Sequence, residues 1–178
     1  PHVWMSCKNA RIISRNILKA LCDLQPENKQ VFEKNYQVLL DSINKQDERI
    51  QQYVTKDWKF QHDFVIIHPT LTYFARDYHL GQYAIEEEGR EASAQQIKKL
   101  IQFVKKKRIK YTLIQSEFAN RNTTTFVEES GTTPIEINPL NGNWKLSMSE
   151  IVWALCGKPV PCFPETAEEK ELRIRNHR

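Results

Sequence analysis

No apolar run in this 178-residue chain approaches the roughly 18 residues of a membrane-spanning helix. Cys7, Cys22, Cys156 and Cys162 form no CxxC pair, so the usual spacing of a structural zinc site is missing. There is no glycine-rich phosphate loop and no nucleophile elbow, which removes the two commonest local signatures of nucleotide and acyl chemistry. Internal repeats and low-complexity stretches are absent, and no signal peptide is visible in these residues. The chain begins at Pro1 without a methionine and reads as processed or trimmed. The net charge of +4 is concentrated in Lys98-Lys99 and Lys105-Lys106-Lys107-Arg108. No aromatic platform interleaves these cations, so they read as the solvated face and C-terminal end of a helix, not as a nucleic-acid surface.

Hydrophobic residues make up 40% of the chain and charged residues 27%, ordinary values for a soluble globular protein of one domain or one and a half. Cys7 and Cys22 fall on one expected helix, too far apart to bridge. Cys156 and Cys162 flank the turn-rich Gly157-Lys158-Pro159-Val160-Pro161, so either a small disulfide loop or free thiols fit there.

Ser6 can cap a helix from Cys7 to about Leu24, with Ile13, Ile17, Leu21 and Leu24 on one apolar face. Gln25-Pro26 breaks it, and Pro26 suits the start of the next helix. From Glu27 to Val54 there is no glycine or proline. A helix of that length spans about 42 Å, longer than a small domain needs. It is amphipathic at both ends and polar over Asn44–Arg49, which suits a connector between two packed bodies or a long surface helix.

From Lys59 the rhythm becomes β/α. Phe64-Val65-Ile66-Ile67 reads as a strand buried on both faces, followed by a helix over 69–78. Tyr83-Ala84-Ile85 is a short strand and Glu86–Arg90 a polar loop. A helix from about Ser93 to Arg108 leads to a strand over 109–114, then a helix near Asn120–Ser130 stopped by Gly131. Pro134–Ile137 is the last strand and Met148–Cys156 the last core helix, before a charged tail with helical pattern over 165–178. The fold class is therefore α/β: a long connecting helix followed by a mostly parallel four-stranded sheet flanked by helices.

Polar groups gather at the strand ends. His68 precedes Pro69, which pushes it out of the α region at the carboxyl end of its strand, where ligands bind in open α/β sheets. Asn138 precedes Pro139 at the end of the last strand, and Glu117 follows the strand before it. Far upstream, His2 sits in Pro1-His2-Val3-Trp4, just before a capped helix. Two histidines on rigid element ends with an amide or carboxylate oxygen nearby can bind a transition metal, and neutral imidazole suits Zn²⁺. The bland reading is a pair of ordinary core or surface histidines. His62, His79 and His177 have no comparable context. His68 or Glu117 as acid/base of a small enzyme is a third reading.

Several ordered segments resemble one family. Pro1-His2-Val3-Trp4-Met5-Ser6-Cys7-Lys8-Asn9-Ala10, Gln25-Pro26-Glu27-Asn28 through Asn35-Tyr36, His68 to Leu80 with Tyr73-Phe74-Ala75-Arg76-Asp77-Tyr78, Glu88–Ser93, Ser116-Glu117-Phe118 and Ile137-Asn138-Pro139-Leu140 follow its motifs in order. This is similar to the zinc/manganese-type (cluster A-I, ZnuA/TroA-like) substrate-binding proteins of bacterial ABC transporters, over residues 1 to about 155. The resemblance implies two α/β lobes joined by a long rigid helix, with the metal between them. On that basis 1–26 is the remnant of an N-terminal lobe, 27–58 the interlobe helix, 59–157 the C-terminal lobe and 158–178 a charged tail.

The same resemblance places metal ligands at His2, His68 and Asn138, with Glu117 behind them. Histidine at position 68, where manganese-type members tend to carry glutamate, favours Zn²⁺ over Mn²⁺. Asn138 departs from the family's aspartate and removes a charge that would balance the cation. The family's first lobe is the other departure, and it is the missing partner expected from the parent chain. The implied protein is no enzyme. It works in the periplasm or on the outer face of the cytoplasmic membrane, in some members lipid-anchored, and delivers its ion to a membrane permease. Imidazole binds only when deprotonated, so affinity falls as pH drops through about 6.5. An adhesin or structural module of the same fold with a degenerate metal site is the alternative.

Overall fold

A computed structural model describes residues 2–57, 59–87, 90–118 and 120–157. The expected tail helix over 165–178, His177 and Cys162, on which the choice between a disulfide loop and free thiols turned, lie outside the described residues. The chain divides into two compact units, residues 1–56 with 70–80, and residues 57–69 with 81–178.

The first unit is helical. Helix α1, Cys7–Leu24, starts where Ser6 stands extended as N-cap and its hydroxyl accepts from the Asn9 N–H. A single 3-10 turn, Pro26–Asn28, leads into helix α2, Lys29–Lys56, which packs antiparallel-neighbour fashion on α1. The inward line of α1 is not the expected one. Cys7 and Ser14 are buried, whereas Ile17 and Leu21 are exposed and Leu24 is 78% exposed. Periodicity identified an apolar stripe correctly but could not say which face meets α2. The polar middle of α2 is also engaged: Gln46 is buried, and Arg11 reaches both Asn44 and Asp47.

Helix α3, Thr72–Tyr78, completes this unit. It begins three residues later than expected, because Pro69 precedes a turn at the buried Thr70 and Leu71, and Leu71 is the N-cap. His79 ends it in the left-handed region, at φ 56°. Tyr78 donates to Asp47 at 2.7 Å, and Ser6 donates to Asp77.

The second unit is an α/β sandwich. Strands β1 (Asp63–Ile66), β2 (Gly81–Ala84), β5 (Tyr111–Ile114) and β6 (Thr133–Glu136) form one sheet, in the order β2-β1-β5-β6, with every neighbouring pair parallel. Between β2 and β5 come the two-residue antiparallel strands β3 (Glu86–Glu87) and β4 (Arg90–Glu91), which a polar loop with no period did not reveal. Helix α4, Ala94–Lys107, opens on a full capping box between Ser93 and Gln96, which satisfies two otherwise orphaned donors. Helix α5, Arg121–Ser130, is capped by Asn120 and stopped by Gly131 at φ 72°, a conformation that suits a residue without Cβ.

Val65 and Ile67 point to one side of the sheet and pack with Ile101, Val104, Ile109 and Phe126 beneath α4 and α5. Phe64 and Ile66, also buried, alternate onto the other face. Helix α6, Trp144–Leu155, starts four residues before the expected Met148, is capped by Asn143 and packs against β5. No helix among the described residues is long and apolar enough to cross a membrane.

Candidate functional site

A parallel sheet brings all its carboxyl ends to one edge, and the strand order sets which ends matter. From β1 the chain goes to β2 on one side, and later to β5 on the other. The switch point therefore lies between β1 and β5, where open α/β sheets receive ligands. His68 follows β1, and Gln115, Glu117 and Phe118 follow β5.

His68 is held from three directions. Its Nδ1 lies 2.9 Å from Glu86 Oε2. Its ring stacks on Phe118, centroids 4.5 Å apart and planes 10° from parallel. Its carbonyl accepts from Gln115 Nε2 at 3.0 Å. Both partners of the His68–Glu86 pair are largely buried, with side chains 23% and 17% exposed. Beside them opens a cavity of about 190 Å³ whose polar lining is Glu86, Glu117, Asn120, Asn122 and Thr123.

Glu117 is exposed, on the 3-10 turn Ser116–Phe118, and reaches this cavity wall. Asn138 stands two residues beyond β6 and is exposed. Its Oδ1 accepts the Leu140 N–H at 3.0 Å, and its carbonyl accepts the Ser147 hydroxyl at 2.8 Å. His68, Glu117 and Asn138 thus share the second unit and the same sheet edge.

His2 belongs to the first unit. Its carbonyl accepts the Met5 N–H at 3.1 Å, and its ring meets Trp4 edge-on at 5.1 Å. The turn is tied to α1 by Asn9, whose amide donates to the Val3 carbonyl at 3.0 Å. Ser6 then joins α1 to the Asp77 carboxylate on α3, which also receives Arg76 at 2.7 Å. Two of the motif segments, around His2 and around Asp77, therefore meet inside the first unit. Nearby, burial pushes the Cys7 thiol up to about 12, although a hydrogen bond with Tyr78 opposes part of that rise. Burial also raises the Tyr78 phenol above its ordinary value. Neither group is ionised at neutral pH.

Glu86, Gln115 and Phe118 were not singled out from the sequence as site residues. Glu86 had a usable signal: it directly follows the apolar pair Ala84-Ile85, the end of a parallel strand, as His68 does. Among the described residues, no three His, Cys, Asp or Glu side chains form a group that could hold a metal ion.

Comparison with known proteins agrees with this fold. The family model "ZnuA: Zinc-uptake complex component A periplasmic" matches residues 1–147. The zinc-binding lipoprotein AdcA of Streptococcus pneumoniae is 30% identical over 142 residues, covering 79% of this chain and 28% of that protein. The zinc-binding protein AdcA of Streptococcus pyogenes is 30% identical over 150 residues, covering 83% of this chain and 29% of its own length. A crystal structure of ZnuA superposes with a TM-score of 0.82 at 27% identity, covering 90% of this chain and 60% of that one. The chain spans half or less of the length of the curated relatives it matches. With most of its residues under one family model and the same parallel sheet in the solved relative, the chain belongs to the ZnuA family of zinc-type ABC substrate-binding proteins.

Proposed function

We propose that this chain is part of an extracytoplasmic solute-binding protein that captures Zn²⁺ and passes it to an ABC-type membrane permease. The observation that carries the reading is His68, an imidazole fixed at the sheet's switch point by Glu86, Phe118 and Gln115. A neutral imidazole on a rigid mount is the ligand type Zn²⁺ prefers, and Mn²⁺ suits it less. His2 and Asn138 are the further ligands in this reading. Asn138 offers a neutral oxygen, so the set carries less negative charge than one with aspartate would.

The exposed stripe of α1 supports a further lobe in the parent protein. Ile17, Leu21 and Leu24 are 53%, 39% and 78% exposed, an apolar row that water does not favour. The site of action is the periplasm or the outer face of the cytoplasmic membrane, in keeping with the periplasmic family name and a lipoprotein relative. The protein binds and releases its ion without turning over a substrate.

Isothermal titration of zinc into this chain, and into a version of its relatives' length, tests the reading. Weak binding to the chain, tighter binding to the longer protein and a loss of at least about tenfold in His2→Ala and in His68→Ala are expected. Tight binding that survives His68→Ala would show the ligands to be elsewhere.

One observation favours an adhesin or structural module with a degenerate site: the Asn138 oxygen already serves the Leu140 N–H. Absence of zinc binding in the longer protein would decide for that alternative.

A further inference from the structure

We propose that Glu86 is a positioning residue that decides which nitrogen of His68 is presented to the metal. The proposal rests on the reading of His68 as a ligand. An ionised carboxylate only accepts hydrogen bonds. With Nδ1 of His68 2.9 Å from Glu86 Oε2, the proton of the neutral ring sits on Nδ1 and the lone pair on Nε2.

The backbone builds this contact. Ile85 N–H donates to the Ile66 carbonyl at 3.0 Å, and Glu86 N–H to the Ile67 carbonyl at 2.9 Å. The two strands thus stay paired beyond β2, and that register sets Glu86 beside His68. Stacking on Phe118 fixes the plane of the ring. The hydrogen bond fixes which edge of that plane faces outward, because a half-turn of the ring would bring a carbon to Glu86. With both side chains largely buried, water competes poorly for the bond.

Two chemical consequences follow. An imidazole that gives its N–H to a carboxylate is a more basic ligand through its other nitrogen. Glu86 also brings a negative charge directly behind the ligand. His2, His68 and Asn138 are all neutral in the binding state, so this carboxylate offsets part of the cation's charge where the family's aspartate is replaced by Asn138.

The test reads the tautomer without metal. Long-range proton–nitrogen correlation spectra of the metal-free chain at about pH 8, above the ordinary histidine value of about 6.5, report which nitrogen of His68 carries the proton. The wild-type chain should show Nδ1–H. Glu86→Ala should shift the ring toward Nε2–H and lower zinc affinity by about 10- to 100-fold, with an unchanged circular dichroism spectrum. Glu86→Gln keeps an acceptor oxygen, so it should keep the tautomer and recover part of the affinity. A wild-type ring protonated on Nε2, or a Glu86→Ala protein with tautomer and affinity both unmoved, overturns the role of Glu86. A wild-type chain with the expected tautomer that takes up no zinc in either length overturns the metal reading instead.

Discussion

The two units of this chain are held together by different physics. In the second, residues from both faces of a parallel sheet are buried to completion: Phe64, Val65, Ile66, Leu113 and Phe126 have no exposed surface. Its interior polar contacts include neutral hydroxyls, with Thr112, Thr132 and Ser130 in a chain of bonds of 2.7 and 2.9 Å. In the first, the inward side is threaded with charge. Ser6 and Arg76 meet the buried Asp77, and Arg11 and Tyr78 meet Asp47. Meanwhile Ile12, Ile17, Leu21 and Leu24 of α1 face outward. Area stabilises the sheet unit and tolerates shape changes gradually. In the helical unit, directional pairs add to the buried Met5, Ile43, Ile50, Leu71 and Phe74, and Asn9 ties down the turn that carries His2.

The largest effect should come from the sheet unit. Phe126→Ala removes a ring from the aliphatic cluster beneath α4 and α5 and leaves a cavity. It should cost about 3–5 kcal/mol in denaturant unfolding. A cost below about 1 kcal/mol would mean that the cluster is not the unit's core. Next comes Asp77→Asn, which keeps the shape but removes the charge that binds Ser6, Arg76 and Lys8. A loss of about 2 kcal/mol is expected. Hydrogen exchange should localise it to α1 and α3 while β1 and β5 stay protected. Equal loosening of both units would erase the contrast between them.

That contrast also explains what could be read in advance. Phe64–Ile67 announced its strand because four consecutive apolar residues suit burial on both faces, and the caps at Ser6, Ser93 and Gly131 announced helix ends because each satisfies a particular backbone need. The parallel sheet followed from the alternation of those elements. Burial in the helical unit was legible only in part: Ile43 and Ile50 of the expected α2 stripe are buried, but hydrophobic periodicity gave no sign of the polar contacts Arg11–Asp47 and Ser6–Asp77. The strand-end position of His68 was visible through Pro69. Its partner Glu86 was passed over: it follows the apolar pair Ala84-Ile85, but β3 and β4 are two residues long and the polar loop around them holds no pattern. His2 and Asn138 stood out by their places before a capped helix and before Pro139, but their role as ligands came only through the family resemblance. Asn138 shows why such transfer has limits: the residue stands at the end of β6, yet its oxygen is drawn into a local turn.

A smaller effect separates the units by pH. Glu150, on α6 of the sheet unit, has its carboxyl raised to about 7 by burial. The folded state therefore holds this proton more tightly than the unfolded chain, whose value is near the ordinary 4.5. Stability from this group is fully present below about pH 4.5, declines as pH rises toward about 7, and is flat above that. Glu150→Gln removes the decline. Because the side chain is only partly buried, the gain at neutral pH should be about 1–2 kcal/mol, less than the full shift would suggest. Unfolding of the two proteins across this pH range should converge at the acid end. A constant difference at every pH would mean that packing, not ionisation, separates them.

The smallest effect in this chain is expected where apolar residues face water. Leu24→Gln, at a side chain 78% exposed, removes few contacts and should change stability by less than about 0.5 kcal/mol. Its information lies in the second measurement. In a protein of the relatives' full length, a lobe covering the α1 stripe would bury Leu24, and the same substitution would then cost about 1.5–3 kcal/mol, the value of burying a leucine. If Leu24→Gln is silent in both lengths, the outward stripe of α1 is simply solvent-facing. The contrast between inward polar pairs such as Ser6–Asp77 and an apolar stripe facing outward would then belong to the longer protein as well.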